Sequence, residues 1–206
     1  MNMGEVLAAA ARVAARGYPT LVLQAGERFP IDRRDIARLV ATIRSRYRLV
    51  VTLSLGEAML PEYRAWRSAG ADRYLLKFET SDEALYHLLH PPGIHRHLTR
   101  WPHLQTLRRL GYEVGSGIMV GLPGQTWPSL ARDIELFAAW DLDMIAVGPY
   151  VPHPQTPLGA QESRAGSPAS DQVSNDPLTV CKVLALTRLA CPEANLPATT
   201  GTAQQD

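Results

Sequence analysis

The sequence predicts a parallel α/β fold, and three observations lead there. Apolar runs of strand length (TLVLQAG, LVVTLSLGE, RYLLKFET, EVGSGIMVGL, DMIAVGPYV) alternate with amphipathic runs of helix length. The strand-like runs are apolar on successive residues, not every second one, so both faces must be covered. Glycines and polar turn residues punctuate each change of period. Helices outside a parallel sheet satisfy all three, either as a doubly wound sheet or as a TIM-type barrel.

Taken in order, residues 4–16 read as an alanine-rich helix stopped by Gly17, and 20–26 as the first strand. The segment 31–47 is an amphipathic helix and 49–57 a continuous apolar strand. Helix 61–69 stops at Gly70 before strand 73–80, and helices over 82–90 and 98–110 precede strand 113–122. Helix 126–140 then leads to strand 143–151. Residues 152–176, rich in Pro, Ser, Gly and Gln, carry no periodicity and read as one long loop. Pro177 opens a helix through Ala190, with Asn175 or Asp176 as its cap. NLPATT (195–200) fits a short sixth strand, and 201–206 a frayed tail. The domain expectation is thus one partial barrel over 1–200.

Composition narrows the function. The formal net charge is +1 on 206 residues, with 46% hydrophobic and 20% charged side chains, so no basic surface for nucleic acid is expected and a small molecule is the expected partner. No apolar run is long enough to span a bilayer, and the N-terminus has acidic and basic residues where a signal peptide would be apolar, which gives a cytoplasmic expectation. The two cysteines, Cys181 and Cys191, match no metal spacing and read as reduced core thiols. Trp66, Trp127 and Trp140 read as helix packing residues. The histidines around HLLHPPGIHRH (His87, His90, His95, His97) lack any flanking metal-site pattern. His153 reads as a loop or substrate contact.

In parallel α/β folds ligands bind at the carboxyl ends of the strands. There this sequence gathers Gln24, Gly26 and Glu27; Thr52, Ser54 and Glu57; Lys77, Glu79 and Thr80; then GLPGQT, GPYVPHP, Thr199 and Thr200. Such a rim suits a ligand with an ammonium, hydroxyls and a carboxylate: Glu79 for the first two, Lys77 and an arginine for the third. GLPGQT is neither a Walker loop nor GxGxxG, so phosphate motifs are not supported. On these residues alone, an ordinary barrel lyase or isomerase with Glu79 as base and Lys77 as Schiff-base amine is also open.

The segments LVLQAGE, VTLSLGE, AGADRYLLKFET, LRRLGYEVGSGIMVGLPGQT, DLDMIAVGPYVPHPQTPL and NLPATT together resemble the FeFe-hydrogenase maturase HydE family, radical S-adenosylmethionine (SAM) enzymes related to biotin synthase. The resemblance implies an incomplete TIM-type barrel of about six parallel strands, matching strands two to seven of a radical SAM barrel. It implies that Glu79 binds the ribose and amino group of SAM, that Arg100 pairs with its carboxylate and that the Met144 backbone meets adenine. Gly115, Gly117 and Gly121 would let the cofactor lie against the chain. Gln24, Thr52, Lys77, Thr199 and Thr200 would line the substrate cavity; Lys77 stands where some members have Arg, a point charge in place of a fork.

By the same resemblance the chemistry is reductive cleavage of SAM to a 5′-deoxyadenosyl radical at a 4Fe-4S cluster held by CxxxCxxC, with other hydrogenase maturation proteins as partners. That motif does not occur in these 206 residues, and two distant cysteines cannot supply three thiolates. The expectation is therefore a truncated representative of an active enzyme, inactive alone. The alternatives are a non-catalytic remnant that binds SAM or a small acid, and a biotin synthase-like or other radical SAM activity.

Overall fold

The computed structural model describes residues 2–26, 32–90, 100–162 and 170–197. In chain order its elements are α1 (Met3–Ala15), β1 (Thr20–Gln24), α2 (Arg33–Tyr47), β2 (Val50–Ser54), α3 (Leu60–Ser68), β3 (Arg73–Leu75), α4 (Glu83–Leu89), α5 (Trp101–Arg109), β4 (Glu113–Val120), α6 (Trp127–Ala139), β5 (Met144–Pro149), α7 (Pro157–Glu162) and α8 (Pro177–Ala190). The strands follow the hydrogen-bonded order β1-β2-β3-β4-β5. The chain divides into two compact units, residues 1–76 with 101–114, and residues 77–100 with 115–206.

In the first unit, α1 begins with a reciprocal cap between Asn2 and Glu5. On α2 the buried residues Ile36, Leu39, Val40 and Ile43 recur at helical spacing. β1 and β2 pair in parallel, setting Val22 opposite Thr52 and Gln24 opposite Ser54. Around β3 the core is aromatic. Trp66, fully buried, stacks on Tyr74 with ring centroids 6.2 Å apart, and Tyr63 meets both rings edge-on. Their polar tips are satisfied: Trp66 Nε1 donates to the Arg33 carbonyl, Tyr74 to Gly56 and Tyr112 to Tyr63.

In the second unit, β4 and β5 pair in parallel from Gly115 opposite Met144 to Val120 opposite Pro149. Ile118, Val120, Ile145 and Val147 are buried between the helices, and Phe78 packs on Phe137 and Trp140. Thr126 caps α6 and Asp176 caps α8, in each case by accepting an amide three residues ahead, with proline following in the first turn.

Five expectations need correction. The strand read over 73–80 is regular only through Leu75; it resumes as a single bridge at Glu79, where the backbone turns with φ +67°. The loop read over 152–176 contains α7: Thr156 accepts the Gly159 amide and Pro157 presets the first helical φ. The sixth strand is present as one parallel bridge, Asn195 with Met144, while 198–200 and the tail lie outside the described residues. Neither cysteine is a core thiol, since α8 turns Cys181 outward and Cys191 is half-buried; Trp127, at the start of α6, is also half exposed.

Gly117 has a packing reason of its own. A Cβ there would lie 2.1 Å from the Ala146 carbonyl oxygen, which belongs to the neighbouring strand and cannot give way. At Gly26 a Cβ would meet nothing within 4 Å. Gly117→Ala is therefore expected to destabilise the protein by about 3 kcal/mol in chemical denaturation, while Gly26→Ala stays within about 0.5 kcal/mol of the parent.

Candidate functional site

Beyond the end of β3, the Lys77 and Glu79 side chains meet, while Phe78 between them joins the aromatic cluster. Lys77 Nζ lies 3.5 Å from Glu79 Oε2. That oxygen is buried and has no hydrogen-bond partner among the described residues. The Lys77 ammonium balances its charge from a distance longer than a charge-assisted hydrogen bond, so the oxygen keeps acceptor capacity for a further donor. Arg100, itself buried, donates Nη1 to the Lys77 carbonyl at 2.6 Å, so the guanidinium is fixed on the same short stretch. Two cations and one carboxylate thus converge on residues 77–79, a set suited to a zwitterion carrying hydroxyls.

The Glu79 backbone is equally specific. Its amide donates to the Gly117 carbonyl at 2.9 Å and its carbonyl accepts from Met119 at 3.1 Å, so it pairs with β4 beside Ile118. The Thr80 amide closes back on the Phe78 carbonyl at 2.8 Å. With φ +67° this is the rare, strained sign of a three-residue γ-turn, on a residue other than glycine.

The GLPGQT turn at the end of β4 answers its own amides. Gln125, fully buried, accepts from Gly121 at 2.7 Å and from Leu122 at 3.3 Å, and donates to the Met119 carbonyl at 3.0 Å. Gln172 accepts from the Gly124 amide at 2.6 Å and donates to the Leu122 carbonyl at 2.9 Å. Gly121 adopts φ +86°, and a Cβ there would lie 2.4 Å from that of Asn175. The space left by Gly117 and Gly121 in the Cβ direction is thus filled by Ala146 and Asn175.

Of the residues expected at the site, Lys77, Glu79, Arg100 and Gly117 come together. Gly115 and Met144 face each other at the amino end of β4 and β5, about three residues or roughly 10 Å along the strand from the Glu79 bridge, and Met144 also bridges Asn195. Gln24 and Thr52 belong to the first unit, at the end of β1 and within β2. There Glu57 lies 3.4 Å from the buried His103, whose Nδ1 meets the Tyr63 hydroxyl at 3.2 Å. Thr199, Thr200, Glu27, His95 and His97 lie outside the described residues. His153 engages its own loop, its Nδ1 accepting from the Gln155 amide at 3.2 Å. His90 stacks on Tyr86, and its Nδ1 lies 3.1 Å from the Tyr86 carbonyl.

Sequence reading missed Asp133. It is fully buried on α6, and its Oδ1 accepts the Ser81 amide at 2.6 Å. The signal was available: an acid stands between Leu130 and Phe137 on the apolar face of a helix. Burial pushes its carboxyl up to about 6, against the pull of the Ser81 hydroxyl and amide and of Arg132.

No family model matches the chain. Along 191 residues it is 41% identical to the FeFe-hydrogenase maturase subunit HydE of Thermotoga maritima, an alignment covering 92% of this chain and 51% of that protein. This chain is HydE-like. A biotin synthase of Acidithiobacillus ferrooxidans is 28% identical over 198 residues, covering 94% of the chain and 58% of that enzyme. The HydE-like chain therefore spans about half the length of the curated relatives it matches. Among solved structures, methylornithine synthase (PylB) superposes with a TM-score of 0.80 at 23% identity, over 100% of the chain and 59% of its own. The hydrogenase maturase HydG superposes with a TM-score of 0.72 at 18% identity, over 95% and 44%. These likenesses and the five parallel strands give the fold, an incomplete TIM-type α/β barrel.

The raised carboxyl at Asp133 has a consequence for stability. Between pH about 4 and 6 the folded chain holds a proton that the unfolded chain has released, so stability falls as pH rises through that window and levels above it. Asp133→Asn should remove this slope, a difference of about 3 kcal/mol across the window, read from denaturant midpoints at several pH values.

Proposed function

We propose that this chain forms the SAM- and substrate-binding part of a HydE-like radical SAM enzyme serving FeFe-hydrogenase maturation. One observation carries the reading: the buried Oε2 of Glu79, which pairs loosely with the Lys77 ammonium and has no hydrogen bond among the described residues, on a stretch whose Lys77 carbonyl also fixes Arg100. Glu79 would take the ribose hydroxyls or the ammonium of SAM, and Arg100 its carboxylate. Lys77, through its ammonium, would hold an acid group of a small substrate. SAM would supply the radical chemistry of such an enzyme, and Glu79 and Arg100 would bind and orient it. The protein acts, in this reading, in the cytoplasm and alongside other maturation proteins.

Cys181 and Cys191 do not fit a 4Fe-4S cluster. One lies on the outward face of α8 and the other caps its end, and two thiols fall short of the three the family uses. No step through a cluster is assigned to them. That mismatch favours a second reading for these 206 residues taken alone, a module that binds SAM or a small acid without catalysis. The biotin synthase likeness leaves a different substrate for the same site as the other alternative.

Titration calorimetry of the purified chain with SAM tests the binding common to both readings. SAM should bind, and Glu79→Gln should weaken it by roughly tenfold to a hundredfold, the worth of hydrogen bonds to a charged group. Absence of SAM binding at millimolar concentration would remove both.

A further inference from the structure

We propose that Asp133 is a positioning residue for Glu79: from the buried face of α6 its carboxylate takes the Ser81 amide and so holds the positive-φ turn that aims the Glu79 side chain. The proposal rests on the reading of Glu79 as the SAM-binding acid, but the device is a property of residues 78–82 themselves.

A non-glycine residue at positive φ persists only where its surroundings over-determine it. On the upstream side β4 supplies the restraint. Phe78 donates to Ser116 Oγ at 3.2 Å, Glu79 donates to Gly117, and Met119 donates to Glu79. On the downstream side the restraints are fewer. Asp82 donates its amide to Thr80 Oγ1 at 3.1 Å, which keeps the turn compact without tying it to another element. Arg132 Nη2 reaches Asp82 Oδ2 at 3.7 Å, but this pair is partly exposed and weak. The bond from the Ser81 amide to the fully buried Asp133 joins the turn to α6 from the inside, at 2.6 Å.

The identity of the residue supports the assignment. Burial opposes the charge of Asp133, with Asp82 adding to that opposition and Ser81 and Arg132 relieving it. An apolar side chain would suit the helix face better than a carboxylate does. What the carboxylate adds is a short, charge-assisted acceptor for one amide, and that amide lies two residues beyond Glu79. Packing of α6 alone gives no reason for it.

The test uses the 206-residue chain. In Asp133→Ala, amide hydrogen exchange at residues 79–82 should quicken at least tenfold, while β4, β5 and the rest of α6 keep parental protection. The SAM dissociation constant should rise at least tenfold, and Asp133→Asn, which retains an acceptor, should restore both to within about threefold. Unchanged exchange at 79–82 in Asp133→Ala would overturn the proposal, as would unchanged affinity for SAM or an Asn variant that behaves like Ala. If the parent itself fails to bind SAM, the functional reading fails, and exchange at 79–82 still decides whether Asp133 holds the turn. If Asp133→Ala does not fold, the same change is made in a Glu79→Gly background, where positive φ carries no Cβ penalty. Folding there supports the proposal, and failure there reassigns Asp133 to the general packing of α6.

Discussion

The second unit depends on how one residue meets one strand. Glu79 exchanges both backbone groups with β4 while its φ is positive, so the chain pairs and turns at the same point. Regular pairing at β3 ends at Leu75, and the bridge at Glu79 restores contact with β4 before the chain leaves for α4. Everything distinctive about the site follows from this. Lys77 and Glu79 share a side, Phe78 is driven into the aromatic cluster, and Oε2 is left buried beside an ammonium. A regular strand through 80 would pair more of its backbone, but it would lack the turn that fixes the carboxylate.

Restraint by the chain's own polar side chains is the second theme. Gln125 and Gln172 occupy the donors and acceptors of the GLPGQT turn, and Asn175 closes the space over Gly121 while donating to the Tyr150 carbonyl. A glycine-rich turn so wired is fixed before any ligand arrives, and it places little ordering cost on binding. The glycines permit the approach of the neighbouring chain first, and any approach of a ligand is additional.

The order of elements was legible because it rests on period and punctuation, which are local. Helix ends fell within a residue or two where a cap was written out, as at Asp176 followed by Pro177. What escaped depends on side chains meeting across distance. Nothing local distinguishes the end of RYLLKFET from a strand, since the partners at the turn are distant in sequence: Gly117 and Met119 take the Glu79 backbone, and Asp133 takes the Ser81 amide two residues on. α7 hid in a segment whose composition resembles loop, and a single Thr-Pro start was enough to form it. Glu79 and Lys77 were singled out by their place at a strand end and by family resemblance, Arg100 by the resemblance alone. Asp133, Gln125 and Gln172 act on backbone amides, which a residue-type search does not see.

The outward turn of α8 has a practical side. Cys181 sits on the surface, while burial pushes the Cys191 thiol up and leaves it less thiolate to react. A maleimide dye or spin label offered in limiting amount at neutral pH would therefore attach first at position 181, on a rigid helix capped at Asp176. The molecule carries its own attachment point for a single reporter group, without an added cysteine or a change to any residue around Glu79.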